Sequence, residues 1–480
     1  MRRVWHQVIV CLAAVAAAAQ LHAYEVNAWP AVVFEDEDSG ATRSWTGLGP
    51  LLFSQPSPEP DAGRVYGLRP LWVRFDETGV EKTDLLYPLF FYRQYPDNYT
   101  WSILQLVNGS GRNTLAPREA GPPDKHFDIW PFYFSHETPD PQDTYHALLP
   151  IYGTIKYRLG YRSISWAPFP LFVQTVKSHG KVTYTPWPIV RTYSGGENGF
   201  ALWPLFGSTR GPGVARHFFA AWPLFWDNTL DIDPDAPPGA APGTQVGFLP
   251  FYTRDTAPGS ISENFLWPFF GYTSRTIPSD YHERRYFWPF LVQGHGKDKV
   301  VERIAPLYTF SEYKGSTSTW NIWPLFHNTT WADSDTRQSK TQVFYFLYWS
   351  LDQTSVSRPD LAPAFKRHVW PLLSVWDNGA GSRQLQIPSP LEVFFNDNAD
   401  IRQVWTPLFA LYRYDHRPDG VTTDSLLWNA VTWRRGASGA LDEFHLGPLL
   451  GMRHAPEGAR WRILGFDFAP NLGKNNPPAK

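Results

Sequence analysis

Cysteine is all but missing. The 480-residue chain has one, Cys11, and it falls in an apolar N-terminal stretch. Val8-Ile9-Val10 before it lacks the small residues of a lipid-attachment site. The rest of the chain therefore has no disulfide, no thiolate nucleophile and no cysteine-held metal. Charge is scarce too: charged residues make up 18% and the net charge is -2, so no basic surface points to nucleic acid. At 43% hydrophobic, the chain is too apolar for disorder and too sparsely charged for a helical bundle. Beyond the N-terminus no apolar run is long enough to cross a bilayer as a helix, which needs about 20 residues.

Motifs of catalysis are also lacking. The 14 histidines include no His-x-x-x-His or His-Glu-x-x-His spacing. No Gly-x-Ser-x-Gly elbow and no phosphate-binding glycine loop occurs. His179 and His295 read as surface residues of glycine-containing turns. Asp36-Glu37-Asp38 and Asp231-Ile232-Asp233-Pro234-Asp235 lack the spaced ligand set of a calcium loop and read as solvated acidic loops. No catalytic, cofactor or metal residue is assigned, and the chain is expected not to be an enzyme.

The N-terminus reads as a secretory leader. Met1-Arg2-Arg3 is basic, Val8 to Ala19 is apolar and small, and Leu21-His22-Ala23 suits cleavage. Residues 1–23 are expected to be the signal peptide, 24–468 one β-repeat domain, and 469–480 a polar tail.

What the chain has in abundance is aromatic residues, 45 prolines and 36 glycines, tied together in one repeated word. Trp-Pro followed by two apolar residues occurs at Trp130-Pro131, Trp187-Pro188, Trp203-Pro204, Trp222-Pro223, Trp267-Pro268, Trp288-Pro289, Trp323-Pro324 and Trp370-Pro371. Weaker copies keep the proline, among them Arg69-Pro70, Tyr87-Pro88, Leu149-Pro150, Leu249-Pro250, Ala305-Pro306 and Thr406-Pro407. The prolines recur about every 19 residues, which gives about 22 to 24 copies. Proline-free segments fill the wider gaps at 101–107, 343–351 and 426–433.

Between the words lie turn signals such as Ser194-Gly195-Gly196-Glu197-Asn198-Gly199 and Asp377-Asn378-Gly379-Ala380-Gly381. Glycine supplies positive φ there and Asn or Asp tolerates it. Short β-prone runs between regular turns predict an all-β antiparallel meander of about 22–24 strands. In Phe200-Ala201-Leu202-Trp203-Pro204-Leu205-Phe206 alternation would place Phe200, Leu202, Pro204 and Phe206 on one face. Because alternation continues past the proline, a bulged strand is expected there. The alternative is a corner that splits each repeat into two short strands.

The leader, the β pattern, the aromatic content and the missing cysteine resemble outer-membrane β-barrels as a class. They imply a closed up-and-down barrel, structural or pore-forming, in the Gram-negative envelope with outer-membrane lipid as partner. The alternative is a soluble secreted β-solenoid or packed β-repeat sheet that binds or scaffolds. The position of the tryptophans conflicts with a barrel, whose aromatics lie in girdles near strand ends.

Overall fold

Proline has no N–H to give a ladder, so a proline every 19 or so residues must be placed where no ladder bond is needed. A computed structural model, which describes residues 26–35, 44–57, 63–112, 124–211, 213–232, 241–455, 458–464 and 466–468, shows where. Each Trp-Pro word is a tight turn. Strand Asn198–Leu202 ends, Trp203-Pro204-Leu205 reverses the chain, and strand Phe206–Arg210 returns antiparallel. The Trp-Pro peptide is cis at all eight words, and also at Trp29-Pro30, the arrangement of type VI turns. In Ile129-Trp130-Pro131-Phe132 the Phe132 N–H donates to the Ile129 carbonyl at 2.7 Å. Longer versions add one residue with positive φ before the tryptophan, as at Ala221, Leu266, Phe287 and Ile322.

The corner therefore replaces the expected bulged strand, and each repeat makes two strands. The expected count of about 22–24 strands is corrected accordingly. The fold is all-β, with antiparallel strands in chain order in a thirteen-stranded and a thirty-one-stranded sheet. Among the described residues neither order returns to its first strand. Most strands run five or six residues. The proline-free segment 101–107 is likewise a hairpin: strands Asn98–Ile103 and Val107–Arg112 meet at a turn in which Leu104 and Gln105 hold positive φ. Leu427, Trp428 and Asn429 do the same at 426–433. The 343–351 segment follows suit, with positive φ at Phe344 and Tyr345. The expected polar turns fall where glycine, Asn and Asp cluster, for example between Val190–Gly195 and Asn198–Leu202. His295 departs from expectation, since it lies inside strand Leu291–Gly296.

The chain forms two compact units. Unit 2 spans 94–345 and is built from hairpins throughout. Its main buried cluster is Phe134, Tyr145, Ala147, Ile155, Trp166 and Val173. Elsewhere its strand centres carry polar ladders, such as Thr154–Ser165 at 2.8 Å and Ser262–Thr273 at 2.9 Å. Unit 1 joins 1–93 to 346–480. It interrupts the meander with 3-10 turns Glu392–Phe394 and Thr406–Leu408 around the π-helical stretch Ile401–Trp405. Ile401, Val404 and Trp405 pack on Phe53, Val65, Val73 and Phe75 of the N-terminal strands. Thr406-Pro407 is thus no copy of the repeat: Pro407 sits in the last of these helical turns. Among the described residues no helix is long and apolar enough to cross a membrane, which leaves strands untested. The expected leader 1–23 and tail 469–480 lie outside the described residues.

Candidate functional site

The turns bond to one another. In unit 2 the Trp130 N–H donates to the Leu106 carbonyl at 2.8 Å, and Trp187 N–H to Pro170 at 2.7 Å. Trp203 follows to Ile189, Trp222 to Pro204 and Trp323 to Pro306, each at 2.7 Å, and Trp288 to Phe269 at 2.8 Å. Each turn thereby donates to the turn before it, so backbone groups that a lone hairpin would leave to water find protein partners. In unit 1 Trp370 N–H does the same toward Leu347 at 3.0 Å.

The side chains on this rim face outward. Trp130 is 60% exposed, Leu205 59%, Leu307 62% and Trp323 56%. Trp187, Trp222, Trp267 and Trp288 are exposed as well. The expected apolar strand centre is therefore an apolar strand end. Trp203, Trp222, Trp267 and Trp288 all precede a cis proline in a rim turn. Trp203 and Trp222 touch, with ring centroids 6.1 Å apart. At the opposite strand ends the turns are polar, and Asp231 there accepts from the N–H groups of Val214 and Ala215 at 3.1 and 3.0 Å. That is a turn-closing role for one of the acidic-loop residues; 36–38, 233 and 235 lie outside the described residues.

Two side-chain clusters escaped the sequence. In unit 2, Asp124, His126 and His136 bring three possible ligand atoms within 4.8 Å of one another. His126 and His136 face each other on paired strands with stacked rings 3.6 Å apart. His136 Nε2 already meets Asp124 Oδ1 at 2.6 Å, and Arg158 Nη2 lies 3.3 Å from His126 Nδ1. Burial, then His136 and Arg158, lower the His126 pKa. A guanidinium at that distance opposes a metal ion, so the cluster reads as an ionic brace to the Arg158–Asp128 pair at 2.8 Å.

The second cluster lies in unit 1. A cavity of about 420 Å³ is lined by Arg69, Arg402 and Arg413, with Glu35, Asp415, Trp376 and Trp428 also in its wall. Arg69 is 1% exposed and stacks at 3.6 Å over the Phe53 ring. Burial, then the charge of Arg413, holds its guanidinium well below the usual arginine range. Burial also lowers Arg402, against the pull of Glu392 and Asp415. One signal for this cavity was present in the sequence: Arg69 stands where stronger repeats carry tryptophan, directly before a cis proline. Compared with protein-family models, curated proteins and solved structures, the chain matches none.

Proposed function

We propose that the chain is an exported, non-enzymatic envelope protein whose Trp-Pro rim sits in outer-membrane lipid. The observation that carries this reading is the rim: exposed Trp, Leu, Ile and Phe at one end of hairpin after hairpin, with turn backbones bonded to each other. Large contiguous exposed apolar surface marks a contact with membrane or protein, and hydrocarbon tolerates backbone only where its polar groups are satisfied within the protein. Tryptophan suits the boundary between headgroup and acyl chain.

Strand length refines the proposal. Strands of five or six residues reach about 17–20 Å, whereas spanning strands need about 9–11 residues. The rim would dip into one leaflet and leave the polar turns in water. Closure of the meander into a barrel belongs to the same proposal, since closure removes free sheet edges. It is supported within unit 1, where Asn27 of the first strand bonds to Asn429 near the C-terminal end. The short strands also favour a second reading, a soluble secreted β-repeat scaffold whose rim is covered by another protein.

Fractionation decides between them. The mature protein is expected in the outer-membrane fraction, resistant to high salt and extracted by detergent. Recovery as a monodisperse soluble protein without detergent would overturn the lipid reading.

A further inference from the structure

The cavity in unit 1 has an unusual charge arrangement. Three of its arginines each bury an Nε–H with no hydrogen-bond partner: Arg69, Arg402 and Arg413. A buried charged donor left unmatched is costly, so native chains rarely carry one without use. Three around one cavity call for a common acceptor.

Among the described residues nothing nearby supplies it. Arg69 spends its Nη1 on the Pro50 carbonyl at 3.0 Å and its Nη2 on Gln55 Oε1 at 3.4 Å, both neutral. Arg402 lies 4.2 Å from the centre of the Trp376 ring, which orients it. Arg413 meets Asp415 Oδ2 at 3.4 Å, a long contact, while Asp415 Oδ1 takes 2.7 Å from Gln384. The other carboxylate in the wall, Glu35, is held by Asn429 at 2.9 Å and Ser44 at 3.4 Å. Among the described residues, two carboxylates, both engaged, share the wall with five arginines: Arg69, Arg383, Arg402, Arg413 and Arg417.

We infer that this cavity binds an oxyanion, a phosphate or carboxylate group carried on a small hydroxylated molecule, through Arg69, Arg402 and Arg413. Guanidinium N–H groups match the geometry of such oxygens, and charge-assisted bonds are the strong ones. The volume of about 420 Å³ is that of a small-ligand site and exceeds what one inorganic ion fills. The Thr423 hydroxyl and the Gln384 side-chain carbonyl in the wall offer partners to the body of the ligand. The inference does not rest on the lipid reading, because the cavity is built from side chains of unit 1 alone.

Calorimetric titration of the mature full-length protein in phosphate-free, low-salt buffer tests it. Glucose 6-phosphate and glucuronate are the probes, glucose the neutral control, and phosphatidylglycerol against phosphatidylcholine vesicles the lipid arm. At least one of the two acidic sugars is expected to bind, with glucose at least about tenfold weaker. Arg402→Gln and Arg413→Gln should each weaken that binding by about tenfold or more. Both are less buried than Arg69 and are preferred to Arg69→Gln, which risks the fold. If neither sugar binds but phosphatidylglycerol vesicles bind better than phosphatidylcholine, and both substitutions erase the difference, the oxyanion is a lipid headgroup and the site stands. The inference is overturned if no anionic probe binds, if glucose binds equally well, or if both variants bind like the wild type. Because neutral vesicles report the rim and soluble sugars the cavity, failure of one reading is distinguishable from failure of the other.

Discussion

Asn27 donates a 2.7 Å hydrogen bond from its side chain to the backbone carbonyl of Asn429, 402 residues away. Asn429 is buried, holds φ at 72°, and gives its own amide to Glu35 at 2.9 Å and Thr46 at 3.3 Å. Asparagine is among the few residues that accept this backbone and still reach two acceptors.

Asn429→Ala should therefore destabilise unit 1 by about 2 kcal/mol, from a lost charge-assisted bond and a strained backbone. Asn429→Gly should recover part of that, because glycine accepts the backbone but cannot reach Glu35. Urea unfolding of the three proteins checks the order; alanine and glycine of equal stability would remove the backbone from the argument.

Glycines in unit 2 make room for aromatic rings across the strand. Gly247 pairs with Trp226, and a Cβ built on Gly247 would meet the indole at 2.1 Å. Gly109 and Trp101 repeat the pairing, with the indole at 2.4 Å. Gly247→Val should cost about 1–3 kcal/mol by overpacking. Near-neutral unfolding of that variant, with the tryptophan simply swung aside, would show the ring is not held there.

His368 links stability to pH. It is 3% exposed, accepts or donates at 2.7 Å with Ser374, and its pKa falls from 6.5 to about 4 through burial and then the charges of Lys366 and Arg402. Below pH 6.5 the unfolded chain takes up a proton that the folded histidine refuses until about pH 4. This contribution is complete above pH 6.5 and lost progressively toward pH 4, a total of roughly 3 kcal/mol. Glu392, its pKa raised by burial, contributes with the opposite sign. The difference in unfolding free energy between wild type and His368→Gln isolates the histidine: it should change between pH 7 and 4.5, and a flat difference counts against the assignment.

The rim side chains should matter to lipid and little to folding. Leu205→Asp with Leu307→Asp, both on exposed positions, should each shift stability by about 0.5 kcal/mol or less in detergent. The same pair should shift the protein toward the soluble fraction. Large unfolding of the variant would mean the rim is core to some assembly of the chain.

The architecture was largely legible, because proline, glycine and Asn/Asp clusters mark backbone events directly. The corner was not, and the reason is geometric. Leu202 and Phe206 face each other across a three-residue turn and share a face with Phe200, whose ring lies 6.2 Å from Phe206. A continuous strand would put the same three residues on one face by alternation. Apolar periodicity therefore cannot separate the two; the missing proline N–H could, had it outweighed the pattern. The helical stretch around Val404 was hidden because Thr406-Pro407-Leu408 imitates the repeat word. The arginine cavity was hidden because Arg69, Arg402 and Arg413 are scattered along the sequence and converge only through unit 1.

The turn-to-turn bonds make the rim a chain of nearest neighbours. Pro204 serves Trp222, Pro306 serves Trp323, and no turn needs to know how many others exist. Excising or duplicating one whole hairpin presents the flanking turns with an equivalent donor and acceptor, so length can change by whole modules while the bonding pattern survives. A half-module change would bring a polar turn to the apolar rim. Inheritance by tandem duplication would thus proceed in steps of one Trp-Pro word with its pair of strands.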